Sequence, residues 1–138
     1  MTNKMLPSER RVLVVENDAA IRSLIRAVLR RDGFEVDESS SAAEAITHLR
    51  TRRYSAIVLE LMLPDGSGLE VLREIDSLPP EHHCVVVVSA ASPAVLDSVS
   101  HARVRSKLRK PFDISALTAA IHGCMGTDDE QSRPVLET

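Results

Sequence analysis

Five polar residues stand out because each follows a short apolar run. Glu16 and Asn17 come after Val12-Leu13-Val14-Val15, and Glu60 comes after Ala56-Ile57-Val58-Leu59. Ser89 ends Val85-Val86-Val87-Val88, and Lys110 follows a short segment around Val104 to Leu108. Two carboxylates, a hydroxyl and an ammonium gathered at one place could move protons on a small substrate, with Glu16 and Glu60 as acid and base. Each residue also has an ordinary explanation. Ser89 reads as a strand-end serine, Lys110 before Pro111 as a solvated turn residue, and Glu16, Asn17 and Asp18 as caps that favour a helix dipole.

What raises these residues is the order of the elements around them. Arg11 to Val15 is nearly all apolar, as for a strand buried on both faces. Asp18 stands where an N-cap belongs, and Ile21, Leu24, Ile25, Val28 and Leu29 recur at helical spacing until Gly33. Phe34 to Asp37 alternates as a strand, and Ser41 with Glu44 forms a capping box before Ala45, Ile46 and Leu49. Ala56 to Leu59 runs into a Pro64-Asp65-Gly66 turn. Ser67 with Glu70 makes a second capping box, opening a helix with Leu69, Leu72 and Ile75. Val85 to Val88 is too β-branched for a helix, and Ser92-Pro93 caps the next one. Asp113 caps a last helix bearing Ile114, Leu117, Ile121 and Met125. Strands alternating with helices demand a parallel sheet with right-handed crossovers and helices on both faces. Functional groups in such sheets gather beyond the carboxyl ends of the strands, and that rule selects the five residues.

Composition narrows the function. With 17 lysines and arginines against 20 acids, the chain carries a net charge of −3, which argues against a general nucleic-acid binder. Aromatic residues are 2% of the chain, too few for a base-stacking platform. The 43% hydrophobic fraction supplies one core in 138 residues, so we expect a single domain over residues 10–125, with flexible tails at 1–9 and 126–138. No apolar run reaches membrane-spanning length and the first dozen residues lack an export core, so a cytoplasmic protein that does not engage membranes is expected. Cys84 and Cys124 then read as reduced, small, buried apolar residues. A metal cluster of His82, His83, Cys84, His122 and Cys124 fits no finger or ribbon spacing. Gly66-Ser67-Gly68 is half a dinucleotide fingerprint, but Val71 holds the third glycine position and the segment follows the third strand.

Over residues 10 to 125 the chain resembles the receiver domain of two-component response regulators. The matching pieces are Val12 to Val15 with the acidic corner after it, Leu61-Met62-Leu63-Pro64-Asp65-Gly66-Ser67-Gly68-Leu69, Val87-Val88-Ser89-Ala90 and Lys110-Pro111-Phe112-Asp113. The resemblance implies a flavodoxin-like, doubly wound, five-stranded parallel sheet, a (βα)5 three-layer sandwich. It also implies an acidic pair after strand one that holds Mg2+, and an aspartate ending strand three that accepts a phosphoryl group from a histidine kinase. A hydroxyl residue after strand four and a lysine after strand five bind phosphoryl oxygens, and a strand-five aromatic reports the change.

This chain departs from that pattern at three points. Glu16 suits the first acidic position, but Asn17 stands where a carboxylate belongs. Glu60 takes the phosphoacceptor position, and Lys107 replaces the switch aromatic. Ser89 and Lys110 match. Glu60 carries its carboxylate about 1.5 Å further out than aspartate, into the volume of the phosphoryl group and metal. Mg2+ demands near-ideal octahedral distances and gains little from an amide. The expectation is therefore a stand-alone, atypical receiver, with no enzyme activity and no cofactor, acting through protein–protein contact. Only a weak Mg2+ site at Glu16, Glu60 and Met62 is foreseen. Glu60 itself is expected to reach toward Ser89 and Lys110 and hold an activated-like state, or else merely to neutralise Lys110.

The alternative is a conventional single-domain phosphorelay receiver that needs Mg2+, and a more distant one is the small carboxylate enzyme. The expected partner is a histidine kinase or a downstream signalling protein, with a homodimer as a further arrangement. Arg103, Arg105, Lys107 and Arg109 alternate at strand period, which would put four positive charges on one face. That face reads as a docking surface or as an edge guarded against sheet pairing.

Overall fold

The computed structural model describes residues 10–79 and 84–125. Five strands form one parallel sheet: β1 (Arg11–Val15), β2 (Glu35–Ser39), β3 (Ala56–Leu59), β6 (Cys84–Ser89) and β7 (Val104–Arg109). Their order across the sheet is β2-β1-β3-β6-β7. The helices are α1 (Ala19–Arg31), α2 (Ala42–Thr51), α3 (Gly68–Asp76), α4 (Pro93–Ser98) and α5 (Ile114–Cys124). A small antiparallel hairpin, β4 (Met62–Leu63) with β5 (Gly66–Ser67), lies between β3 and α3. The flavodoxin-like, doubly wound fold expected from the sequence is the one observed.

The central strands read as unbroken apolar runs because both of their faces are covered. Leu13, Val15, Ile57, Leu59, Val85 and Val87 pack with Ala45, Leu49, Val71, Leu72 and Ile75 on the α2/α3 face. Val12, Val14, Ala56, Val58, Val86 and Val88 pack with Ile25, Leu29, Leu117 and Ile121 on the α1/α5 face. Helical periodicity locates each apolar stripe but overstates its width. Leu24 is 53% exposed and Leu69 44%, whereas Val71 is fully buried.

The helix ends follow the local chemistry. Asp18 Oδ1 accepts from the Ala20 and Ile21 amides, and Ser41, Ser67, Ser92 and Asp113 cap α2 to α5 in the same way. Neither capping box closes as read. Glu44 Oε1 accepts from Ser40 N rather than from the cap, while Ser67 accepts from Leu69 N. α1 stops at Gly33, whose φ of 94° favours glycine. There Gly33 N donates to Arg30 O and Phe34 N to Leu29 O.

Two expectations need correction. Cys84 and Cys124 are not reduced apolar residues but form a disulfide, with Cα atoms 5.6 Å apart. The last turn of α5 comes back over the start of β6 and brings together residues 40 apart in sequence, which strand and helix patterns do not reveal. With both sulfurs bonded, neither cysteine is a thiolate ligand. Among the described residues no group of His, Cys, Asp and Glu is arranged to hold a metal, and His82 and His83 lie outside them.

The second correction concerns the basic stripe. The β6–β7 register shifts between the Val85–Val104 and Val86–Ser106 pairs, inserting one extra residue into β7. A shift of one residue exchanges faces. Val104 therefore packs on the α2/α3 face while Leu108 packs on the α1/α5 face. Lys107, paired with Val87, follows the α2/α3 face, but Arg105 leans on α5 beside Gly123. Arg103 turns away altogether: its guanidinium donates to Ile75 O at 2.8 Å and Leu78 O at 2.9 Å, closing the carboxyl end of α3. Four charges do not share one face. Both proposed tails lie outside the described residues.

Candidate functional site

Backbone hydrogen bonds carry the site residues to one edge of the sheet. Glu16 N donates to Ser39 O, Glu60 N to Val15 O, and Lys110 N to Ser89 O. Each of these residues thus extends a strand by one step and ends beside the carboxyl terminus of its neighbour. Glu16 is 1% exposed, Glu60 3% and Ser89 0%, while Asn17 is exposed. Burial of two carboxylates requires compensation. The lysine after β7 supplies it: Lys110 Nζ lies 2.7 Å from Glu16 Oε1 and 2.8 Å from Glu60 Oε1. The Lys110–Pro111 peptide is cis.

The second oxygen of each carboxylate is also engaged. Glu16 Oε2 accepts from Asp18 N, and Glu60 Oε2 accepts from Met62 N, both at 3.0 Å. All four carboxylate oxygens therefore have partners. The sequence pointed to a Glu60–Lys110 contact, which forms, and to one with Ser89, which does not. Ser89 Oγ instead accepts from Ala91 N. Burial pulls the Lys110 ammonium toward deprotonation. Its hydrogen bonds and charge interactions with Glu16 and Glu60 outweigh that and hold its pKa above the ordinary lysine value.

Three supports of the site were not foreseen. Gly68 N donates to Leu61 O, and a Cβ at position 68 would lie 2.6 Å from Glu60 O and 2.8 Å from Leu61 Cα. Only glycine lets α3 start so close to the strand end that bears Glu60. Asp65, read simply as a turn residue, accepts from Ala42 N at 2.8 Å and Ala43 N at 3.0 Å, fastening the β4–β5 hairpin to the start of α2. Those backbone donors hold the Asp65 carboxyl below its ordinary range. Arg22 Nη1 donates to Glu16 O at 2.8 Å and its Nε to Glu38 Oε1 at 3.2 Å, so α1 grips the strand end from the other side. An arginine six residues after a strand-end acid is the only sequence signal for that contact. Beside Lys110, the residues Ile21, Leu24, Pro111, Phe112 and Ile114 line a shallow apolar depression of about 370 Å3. Lys107 and Arg109 lie exposed along β7.

The arrangement resembles known proteins along most of its length. The family model described as "Response regulator receiver domain" matches residues 12–122. The KDP operon transcriptional regulatory protein KdpE of Escherichia coli K12 is 36% identical over 118 residues, covering 80% of this chain and 48% of that protein. Transcriptional regulatory protein TrcR of Mycobacterium tuberculosis is 28% identical over 92% of this chain and 49% of its own length. The chain thus spans about half the length of the curated relatives it matches. Among solved structures, a sensor protein from Polaromonas sp. JS666 superposes with a TM-score of 0.74 at 30% identity, covering 83% of this chain and 94% of that one. The response regulator TrrA from Thermotoga maritima, solved in complex with Mg2+-BeF, gives 0.74 at 25% identity, covering 83% and 98%. Among the described residues no helix is long and apolar enough to cross a membrane. With the sheet order and the family match over residues 12–122 in agreement, the chain belongs to the response regulator receiver domains of two-component signal transduction.

Proposed function

We propose that this receiver, over residues 10–125, signals through protein–protein contact without taking a phosphoryl group on its strand-three acid. The observation that carries this reading is the occupancy of the carboxylates. Lys110 takes one oxygen each from Glu16 and Glu60, and backbone amides take the other two. A Mg2+ ion needs oxygen ligands at about 2.0–2.1 Å in octahedral array. To gain these two acids it would have to displace an ammonium already bonded to both, and Asn17 offers an amide in place of a third carboxylate. The donor set does not fit the ion. Met62, whose backbone amide already serves Glu60, adds no carboxylate. The same occupancy disfavours Glu16 and Glu60 as an acid–base pair, because neither has a free oxygen facing a substrate.

The Glu60–Lys110 contact supports a standing charge-neutralised state in place of a phosphorylation-dependent one. One carboxylate carries less charge than a phosphoryl group, so it holds Lys110 without engaging Ser89. We take Lys107 and Arg109 as the docking surface, with Arg105 at its margin and Arg103 excluded by its role in closing α3. Such a surface suits an acidic patch on a kinase or a downstream signalling protein in the cytoplasm.

A conventional phosphorelay receiver is the second reading. It is favoured by the likeness to TrrA, which was solved with Mg2+-BeF, and by Ser89 and Lys110 lying at matching strand ends. Incubation with a small acyl phosphate and Mg2+, followed by intact-mass measurement, decides between them. We expect no phosphoryl adduct on the wild-type chain, whereas stoichiometric addition that Glu60→Ala abolishes would establish the relay.

A further inference from the structure

The Cys84–Cys124 bond joins the first residue of β6 to the last residue of α5, at the end of the sheet opposite Lys110. Both cysteines are partly exposed. The rest of that helical turn has lighter ties. Ile121 is buried, but Met125 is only partly so. The His122 side chain, 54% exposed, has its Nε2 3.4 Å from Asp32 Oδ2 and its ring centroid 5.3 Å from that of Phe34. Gly123 leaves room for Arg105, whose Nε would come within 3.0 Å of a Cβ there. Behind the turn, Cys124 and Met125 only flank the apolar layer, whose buried members from α5 are Leu117 and Ile121.

We propose that Cys84 and Cys124 form a reversible thiol–disulfide switch that fixes or frees the last turn of α5 while the sheet stays folded. An external thiolate attacks one sulfur and forms a mixed disulfide, and the other cysteine leaves as a thiolate that takes a proton. A second external thiol then resolves the mixed disulfide, so two low-molecular-weight thiols are oxidised to one disulfide and both cysteines end as thiols. Reduction releases the turn from β6 and loosens the seats of Arg105 and His122. The switch is independent of whether Glu60 accepts phosphate, and its test does not involve that site.

The native protein is equilibrated in glutathione buffers of stepwise reduced-to-oxidised ratio, quenched in acid, labelled with N-ethylmaleimide and weighed intact, with amide hydrogen exchange measured in parallel. We expect unlabelled and doubly labelled species to interconvert in both directions. In the reduced form, exchange over residues 118–125 should rise by about tenfold or more while β1 and β3 stay protected. Three results would each overturn the proposal: thiols that never pair in oxidised glutathione, exchange over 118–125 that ignores reduction, or exchange that rises across the whole sheet.

Discussion

The two ends of the sheet are held together in opposite ways. At the carboxyl end, charges from three separate strand ends meet in a buried cluster, and each depends on the others: remove Lys110 and two carboxylates lose their counter-ion. At the amino end, the Cys84–Cys124 bond and the Arg103 guanidinium each hold one helix end, and neither depends on the other. Buried charge makes a region interdependent, whereas local staples leave it separable. The carboxyl end should therefore fail as a unit and the amino end piece by piece.

The sharpest way to break that comparison is Lys110→Met. Leaving the buried acids without their cation should cost about 3–5 kcal/mol in urea unfolding at pH 7. A variant as stable as wild type would erase the contrast. The wild-type lysine carries its own signature. Its folded pKa is raised, so its contribution is complete below the unfolded value of 10.5 and disappears as pH climbs through the higher folded value. Alkaline unfolding should therefore set in above pH 10.5 and move lower when Glu16 or Glu60 becomes glutamine.

Reduction of the disulfide comes next, at roughly 4 kcal/mol for residues 40 apart in sequence, read as the urea midpoint with and without reductant. Gly68→Ala should cost about 2–3 kcal/mol, because its methyl meets the Glu60 carbonyl and the Leu61 backbone rather than a side chain that can move. In keeping with an interdependent carboxyl end, that variant should also weaken the alkaline signature of Lys110. Arg103→Met should cost only about 1–2 kcal/mol, the value of two carbonyls left to solvent, and should leave the Lys110 titration untouched. Smallest of all, Lys107→Glu with Arg109→Glu should change stability by less than about 0.5 kcal/mol. Its effect should fall on partner binding, as weaker affinity with a shallower salt dependence.

The carboxyl end was legible in the sequence because a parallel sheet sends every strand end to the same edge, so position along the chain is enough to gather Glu16, Glu60, Ser89 and Lys110. The strands and N-caps were legible for similar reasons: Val85 to Val88 declares itself by β-branching, and Asp18, Ser92 and Asp113 by the helical segments that each of them opens. What escaped depends on distances between elements that no local pattern encodes. Glu16 as the second partner of Lys110 was not foreseen, because its reach is set by how closely β1 and β7 flank β3 and β6. Asp65 looked like turn chemistry until the hairpin folded onto α2. The exposure of Leu24 and Leu69 reflects the width of an apolar stripe, which periodicity does not give. The disulfide escaped for the same reason, since its two residues meet only after α5 has crossed back over the sheet.

The inserted residue in β7 has a consequence for the outer rim of the molecule. An edge strand with an uneven ladder presents a poor template to any foreign strand, whatever side chains it bears. Geometry alone thus discourages fibre-like stacking here, so guarding the edge does not require the cations at Lys107 and Arg109.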